Sequence, residues 1–265
     1  MDPTALDVRR DGAVTWLTLD RPEALNALDP TLVGELRDFF ARLPDDRETR
    51  VVVLRGAGRA FCAGLDLKNS GAGAEGDGVL ATLRAQRRIS EIVLLMRRAP
   101  QPIIACVHGA AAGGGFALAL ASDVRLAGES ARMNAAFIRI GLSACDVGVS
   151  YFLPRMVGAS VASELMLTGR FIDAARAERT GLVSCVVPDD ALEAEAAGLA
   201  AEMLATSPLG LRLTKECLGH SIDAGSLEQA VAMEDRNQAL CAQSPDVREG
   251  MLAFLQKRAP RYVER

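Results

Sequence analysis

Apolar and polar positions change their spacing several times along this chain, and the changes predict its elements. Val14 to Leu19 alternates well enough for a strand. Asp29-Pro30 then marks a helix start. The aspartate suits the cap, the proline suits the first helical position, and Leu32, Leu36, Phe39, Phe40 and Leu43 fall on one face. Val51 to Leu54 is a short β-branched run, read as a buried strand that ends at Gly56. Leu80 to Arg98 reads as a helix stopped by Pro100 and Pro102. Ile103 to Val107 is a further buried strand. Gly113-Gly114-Gly115 opens a helix that runs to about Ala121, and Val124 to Leu126 is again a strand. Strand and helix alternate, so the fold class is α/β. Beyond about Asp190 the pattern is helical throughout: Glu193 to Ala205, Pro208 to His220, Leu227 to Ala242 and Asp246 to Lys257. Those helices carry apolar faces that need a surface, either their own core or a neighbouring subunit. The chain therefore divides into a core, residues 1–195, and a helical region, residues 196–265.

Composition narrows the function. The chain has 265 residues, enough for one large domain with an appendage. Aromatics are 4% of the residues, which leaves little with which to stack bases. Lys68, Lys215 and Lys257 are the three lysines, the net charge is −4, and the arginines are interleaved with acids. No basic block tracks a phosphate backbone, so no nucleic-acid partner is expected. Met1 to Asp11 is polar and does not read as a leader, and Ala110 to Ala121, the longest apolar stretch, is too short to span a bilayer. The six cysteines form no CxxC pair and there are two histidines, so no metal site is expected. Isolated cysteines read as buried thiols of a reducing cytoplasm.

Two glycine-containing segments carry the candidate chemistry. The first is Gly56 to Lys68, GAGRAFCAGLDLK, and the second is His108 to Leu118, HGAAAGGGFAL. A helix N-terminus presents unpaired N–H groups and the positive end of the helix dipole. Glycine there lets a ligand reach them. Two such donors aimed at one point stabilise charge growing on a carbonyl oxygen, each by about 3–4 kcal/mol. The alternative is that both are glycine turns in a crowded core. A phosphate loop lacks its GxxxxGK[ST], and AAAGGG lacks the GxGxxG spacing of a dinucleotide fold. Gly71 to Gly78 is the one low-complexity stretch and reads as a mobile loop beside the site.

At these residues the chain resembles the enoyl-CoA hydratase/isomerase family, the crotonase superfamily. Five segments carry the resemblance: Arg21-Pro-Glu-Ala-Leu-Asn-Ala-Leu28; Phe61-Cys-Ala-Gly-Leu-Asp-Leu67; Pro102 to Gly115; Thr168 to Val183; and Glu249 through Pro260. The resemblance implies a spiral of ββα turns with a helical C-terminal region that forms homotrimers, often paired as a dimer of trimers. It implies no permanently bound cofactor. Coenzyme A enters as part of an acyl-CoA thioester substrate, in the cytoplasm and away from membranes. By position it implies Leu65 and Gly114 N–H as the oxyanion hole, and Glu23, Ala24, Ala63, Asp66 and Leu67 along the CoA. Phe254 and Lys257 match C-terminal positions that approach the CoA, sometimes from the adjacent subunit. An exposed cation at a helix end is the other reading of Lys257.

The chain also departs from the family. Its hydratases use two glutamates; here those places hold Ala117 and Phe137, neither of which moves a proton. Asp146, in Leu142-Ser-Ala-Cys-Asp-Val-Gly148, resembles the stretch where dienoyl-CoA isomerases and 4-chlorobenzoyl-CoA dehalogenase carry an aspartate. Apolar flanks would raise its pKa and suit it to proton transfer. A helix cap through Gly148 is the alternative. The leading expectation is an enzyme that hydrates or isomerises an unsaturated acyl-CoA through an enolate, with Asp146 as acid/base. The alternatives are a hydrolase or dehalogenase of the same fold using Asp146, or a non-catalytic acyl-CoA-binding protein. His108 and Asp123 read as structural and His220 as a helix end. Arg132, Asn134, Arg139, Ser143 and Tyr151 remain open as pocket residues.

Overall fold

The computed structural model describes residues 4–69 and 78–263. All of the glycine-rich stretch except Gly78 lies outside them. Nine strands are found among the described residues: β1 (Leu6–Asp11), β2 (Val14–Leu19), β3 (Val51–Gly56), β4 (Ile103–Val107), β5 (Ala110–Ala112), β6 (Val124–Gly128), β7 (Arg132–Asn134), β8 (Ile172–Asp173) and β9 (Cys185–Val187). The helices are α1 (Pro30–Arg42), α2 (Val79–Arg98), α3 (Gly114–Ala121), α4 (Val149–Thr168), α5 (Ala174–Arg179), α6 (Leu192–Leu204), α7 (Pro208–Ser221), α8 (Leu227–Gln243) and α9 (Pro245–Leu255). Among the described residues no helix is long and apolar enough to cross a membrane.

The large sheet has the order β1-β2-β3-β4-β6-β9, with β1 antiparallel to β2 and the rest parallel. Its middle strands are apolar runs because both faces are covered. Val52, Leu54, Ile103, Ala105 and Val107 enter the main core with α1 to α4. The alternate residues Val51, Val53, Ile104 and Cys106 meet Leu192, Ala196 and Ala200 of α6 on the other face. A smaller sheet, β5-β7-β8, stands beside it. The chain winds as a spiral. β4 enters the large sheet, β5 the small one, and α3 follows. β6 and β7 repeat the step before α4. Among the described residues the segment after β3 joins the small layer through a single bridge, Cys62 with Ala111, and a second bridge ties its Leu65 to Leu28. This is the ββα spiral that the resemblance implies.

α1 shows why the residues choose these elements. Asp29 Oδ1 accepts from Leu32 N–H at 2.8 Å and caps the helix, worth about 1 kcal/mol. Leu32, Val33, Leu36 and Phe40 are buried, each stabilising the fold by about 1.5–3 kcal/mol.

Some elements carry no readable pattern. β1 buries only Leu6 at the sheet edge, so it reads as polar chain. β5, β7 and β8 are two or three residues long. α4 contains Pro154 and bends at Gly158, which breaks its period. Residues 195 and 196 fall inside α6, which packs on the large sheet. Cys62 and Cys106 are buried thiols, both pushed up to about 12 by burial, but Cys145 is exposed.

α7 is anchored by a buried cation. Lys215 Nζ pairs with Asp123 Oδ2 at 2.8 Å and donates to the carbonyls of Gln101 at 2.7 Å and Met96 at 3.2 Å. Asp123 Oδ2 also accepts from Ile103 N–H at 2.8 Å, at the start of β4. Asp123 is thus structural, as its sequence context suggests. Asp123→Ala leaves Lys215 buried without its counter-charge and is expected to cost about 3–5 kcal/mol in urea unfolding. A change under about 0.5 kcal/mol, typical of a surface site, would contradict this role.

Candidate active site

The site is assembled from a loop held by asparagine and arginine. Leu25 and Asn26 both have positive φ, 53° and 56°, so the chain doubles back after the short turn Pro22–Ala24. Asn26 is fully buried. Its Oδ1 accepts from Arg21 N–H, and its Nδ2 donates to the carbonyls of Ala57 and Ala60, each at 2.8 Å. This ties the 21–28 loop to the segment that follows β3.

That segment, residues 60–66, changes partners midway. Cys62 N–H donates to Ala110 O at 3.0 Å, and Ala112 N–H donates to Cys62 O at 2.9 Å. From Ala63 onward it pairs instead with the loop: Ala63 N–H to Leu25 O, Leu28 N–H to Gly64 O at 2.7 Å, and Asp66 N–H to Leu28 O at 3.0 Å. In a parallel bridge of this kind the bonds come from the residues flanking Leu65, so its own N–H turns away from Leu28. Among the described residues it donates to no protein acceptor.

Gly114 is the first residue of α3, where an N–H has no acceptor within the helix. It too donates to no described protein group. Close backbone approach brings Gly64, the residue before Leu65, against the start of α3. A Cβ on Gly64 would lie 2.6 Å from Ala112 O and 3.3 Å from Gly114 N, and Gly64 has φ +92°. A Cβ on Gly115 would lie 2.1 Å from Cys62 O. Glycine at both positions is a steric requirement.

The two amides border a cavity of about 120 Å³ whose walls include Leu28, Ile89, Phe137, Ile140, Leu142 and Val147. Asp146 and Gln86 of α2 are the polar side chains in this wall. Asp146 Oδ1 accepts from Gln86 Nε2 and from Val147 N–H at 2.8 Å. Burial pushes the Asp146 carboxyl above the ordinary aspartate value, and these two hydrogen bonds only partly oppose it. Val147 has φ +44°, a costly conformation for a β-branched residue, in the turn that aims Asp146. A larger groove of about 680 Å³ opens near Arg55, His108, Asp189 and Glu193. It contains neither amide, and Arg55 is already paired with Glu193.

Residues 9–265 match the family model for enoyl-CoA hydratase/isomerase. The chain belongs to the enoyl-CoA hydratase/isomerase family. It is similar to a Mycobacterium tuberculosis protein named probable enoyl-CoA hydratase EchA12, 40% identical over 255 residues, covering 95% of this chain and 90% of that protein. It is also similar to the 1,2-epoxyphenylacetyl-CoA isomerase of Escherichia coli K12, 36% identical, covering 94% and 95%. Among solved structures, an enoyl-CoA hydratase from Bacillus anthracis superposes with a TM-score of 0.92 at 34% identity, covering 98% of this chain and all of that one.

Of the positions implied by the family resemblance, Ala63, Leu65, Leu67, Gly114, Phe137 and Asp146 meet at one cavity. Ala117 does not line it; it is sealed in the main core. Glu23 and Ala24 sit on the neighbouring loop. The Asp66 carboxylate turns inward: it accepts from Arg21 Nη2 at 3.1 Å, Lys68 N–H at 3.1 Å and Asn69 Nδ2 at 3.0 Å. Phe254 and Lys257 lie on or just beyond α9, exposed and not in the cavity wall. His108 Nε2 is 2.9 Å from Gly58 O, a structural contact. Sequence reasoning missed Arg21, Asn26 and Gln86 as individual residues. The one available signal was an asparagine, tolerant of positive φ, at the turn of the RPEALNAL segment.

The Asn69 and Arg21 hydrogen bonds hold the Asp66 carboxyl below its ordinary value, against a smaller opposing effect of burial. A depressed native pKa gives stabilisation that is complete above the unfolded pKa of about 3.9 and lost as pH falls through the native value. Asp66→Ala is expected to cost about 1–3 kcal/mol at neutral pH. The gap from wild type in urea unfolding should narrow below about pH 4; a gap that widens there would contradict it.

Proposed function

We propose that this chain shifts the double bond of an unsaturated acyl-CoA thioester, with Asp146 as a single acid/base and Leu65 and Gly114 N–H holding the enolate oxygen. The observation that carries the reading is that Asp146 is the one ionisable side chain among the described residues of the cavity wall. Hydration needs one group to activate water and a route to protonate the α-carbon. A double-bond shift needs only one carboxylate. A 3-enoyl thioester gives a C2 proton to Asp146, its electrons move onto the thioester oxygen, and Asp146 returns the proton to C4. The product is the 2-enoyl thioester. The raised pKa of Asp146 suits a group that must both take and return a proton. Each backbone donor contributes about 3–4 kcal/mol as the oxygen becomes anionic.

The CoA moiety runs along Glu23, Ala24, Ala63, Asp66 and Leu67 in this reading, with Asp66 contributing through the loop it pins. Phe254 and Lys257 reach a CoA across a subunit boundary. Met251, Phe254 and Leu255 leave an apolar face of α9 in solvent, 63%, 84% and 78% exposed, which supports assembly into trimers or a dimer of trimers. The cysteines are free, which fits a reducing cytoplasm.

The test is incubation with 2-enoyl-, 3-enoyl- and aryl-CoA thioesters in heavy water, read by mass spectrometry. The 2-enoyl product should form from the 3-enoyl thioester without free CoA appearing, with deuterium entering only to the extent that Asp146 exchanges its proton with solvent before returning it. Asp146→Asn should lower kcat by about 10²–10⁴-fold and leave thioester binding nearly unchanged. Stoichiometric CoA release would replace this reading with hydrolysis, net addition of water with hydration, and tight binding with no isomerised product with a non-catalytic role. Sedimentation velocity should return a trimer or its dimer; a stable monomer would contradict the assembly.

A further inference from the structure

We propose that Gln86 is a positioning residue that fixes Oδ1 of Asp146, so that the transferred proton is carried on Oδ2. The inference rests on the acid/base reading of Asp146 and adds which oxygen acts and what holds it. Oδ1 accepts two hydrogen bonds, from Gln86 Nε2 and from Val147 N–H. A carboxylate oxygen has two lone pairs, so both on Oδ1 are engaged, and a proton arriving there would displace a donor. Among the described residues no group donates to Oδ2. The two donors come from different elements, α2 and the turn before α4, so together they fix the plane of the carboxyl group.

Gln86 is also the right kind of residue for this task. It lies in the solvent-rich first half of α2, where Val79, Leu80 and Leu83 are exposed, yet it turns into the cavity with Ile89. A neutral amide orients the carboxylate without fixing its charge, leaving it able to gain and lose a proton. A lysine or arginine there would hold it ionised. Charged residues on the surrounding elements are Arg84, Arg87, Arg88, Glu91, Arg97 and Arg98 on α2, Asp66 and Lys68 in the loop around Leu67, Arg139 in the turn Ala136–Ile140, and Arg155 and Glu164 on α4. None of them lines the cavity, and the raised Asp146 pKa has no charge–charge cause.

The experiment compares the wild type with Gln86→Met, Gln86→Glu and Asp146→Asn. The Asp146 carboxyl is titrated directly by ¹³C NMR on aspartate-labelled protein, with Asp146→Asn assigning its resonance. This readout needs no substrate. Removing the amide donor should raise the Asp146 pKa by about one pH unit in Gln86→Met. Gln86→Glu should raise it at least as far, through like charge. In the double-bond shift, kcat should fall about tenfold with KM nearly unchanged, and the acidic limb of the pH profile should move up with the titrated pKa. An Asp146 pKa unmoved or lowered in both variants would overturn the role of Gln86. Full turnover in Asp146→Asn would instead overturn the acid/base reading, whatever the titration shows.

Discussion

Two backbone N–H groups, of Leu65 and Gly114, that find no acceptor among the described residues and belong to the lining of one apolar cavity, are the constraint on which the rest depends. Leaving them unpaired costs free energy that the surrounding structure has to offset. It does so by over-determining the backbone. Residues 60–66 are stitched to β5 on one side and to the 21–28 loop on the other, with the change of partner between Cys62 and Ala63. Asn26 and the Arg21–Asp66 pair hold that loop in a conformation it would not keep alone.

The spiral explains how residues so far apart in sequence meet. Each turn sends one strand to the large sheet and a shorter piece to the small layer before its helix. Leu65 belongs to one turn and Gly114 to the next, and they are neighbours because turns stack. Gly115 lets α3 approach Cys62 closely enough for the stacking to bring the amides together. Packing on both faces of the large sheet makes this frame rigid, and the site lies at the seam between the layers.

The regular parts of the fold were legible where the period was strong. β3, β4 and α1 follow from β-branched runs, a capping aspartate and a one-sided apolar stripe. The small layer was not legible, because bridges of one to three residues have no period. Its existence came from resemblance, as did the roles of Leu65 and Gly114; composition and spacing alone left a crowded glycine turn as an equal reading. Asp146 stood out as an acid among apolar flanks. Gln86 did not, because one glutamine on an amphipathic helix means nothing until the fold brings it across from an aspartate sixty residues away. Asp66, expected along the CoA, also pins its loop through Arg21, forty-five residues earlier, and that pairing has no local signal.

The absence of acids at Ala117 and Phe137 gives the cavity its character. One position is sealed in the core, and the other puts an aromatic ring in the wall. What remains among the described lining residues is one carboxyl group, raised by burial. The most direct measurement is a crystal structure with an unreactive acyl-CoA thioester bound. The account predicts the thioester oxygen within about 2.7–3.1 Å of both Leu65 N and Gly114 N. A thioester oxygen that reaches neither amide, or amides closed off by neighbouring side chains, would contradict it.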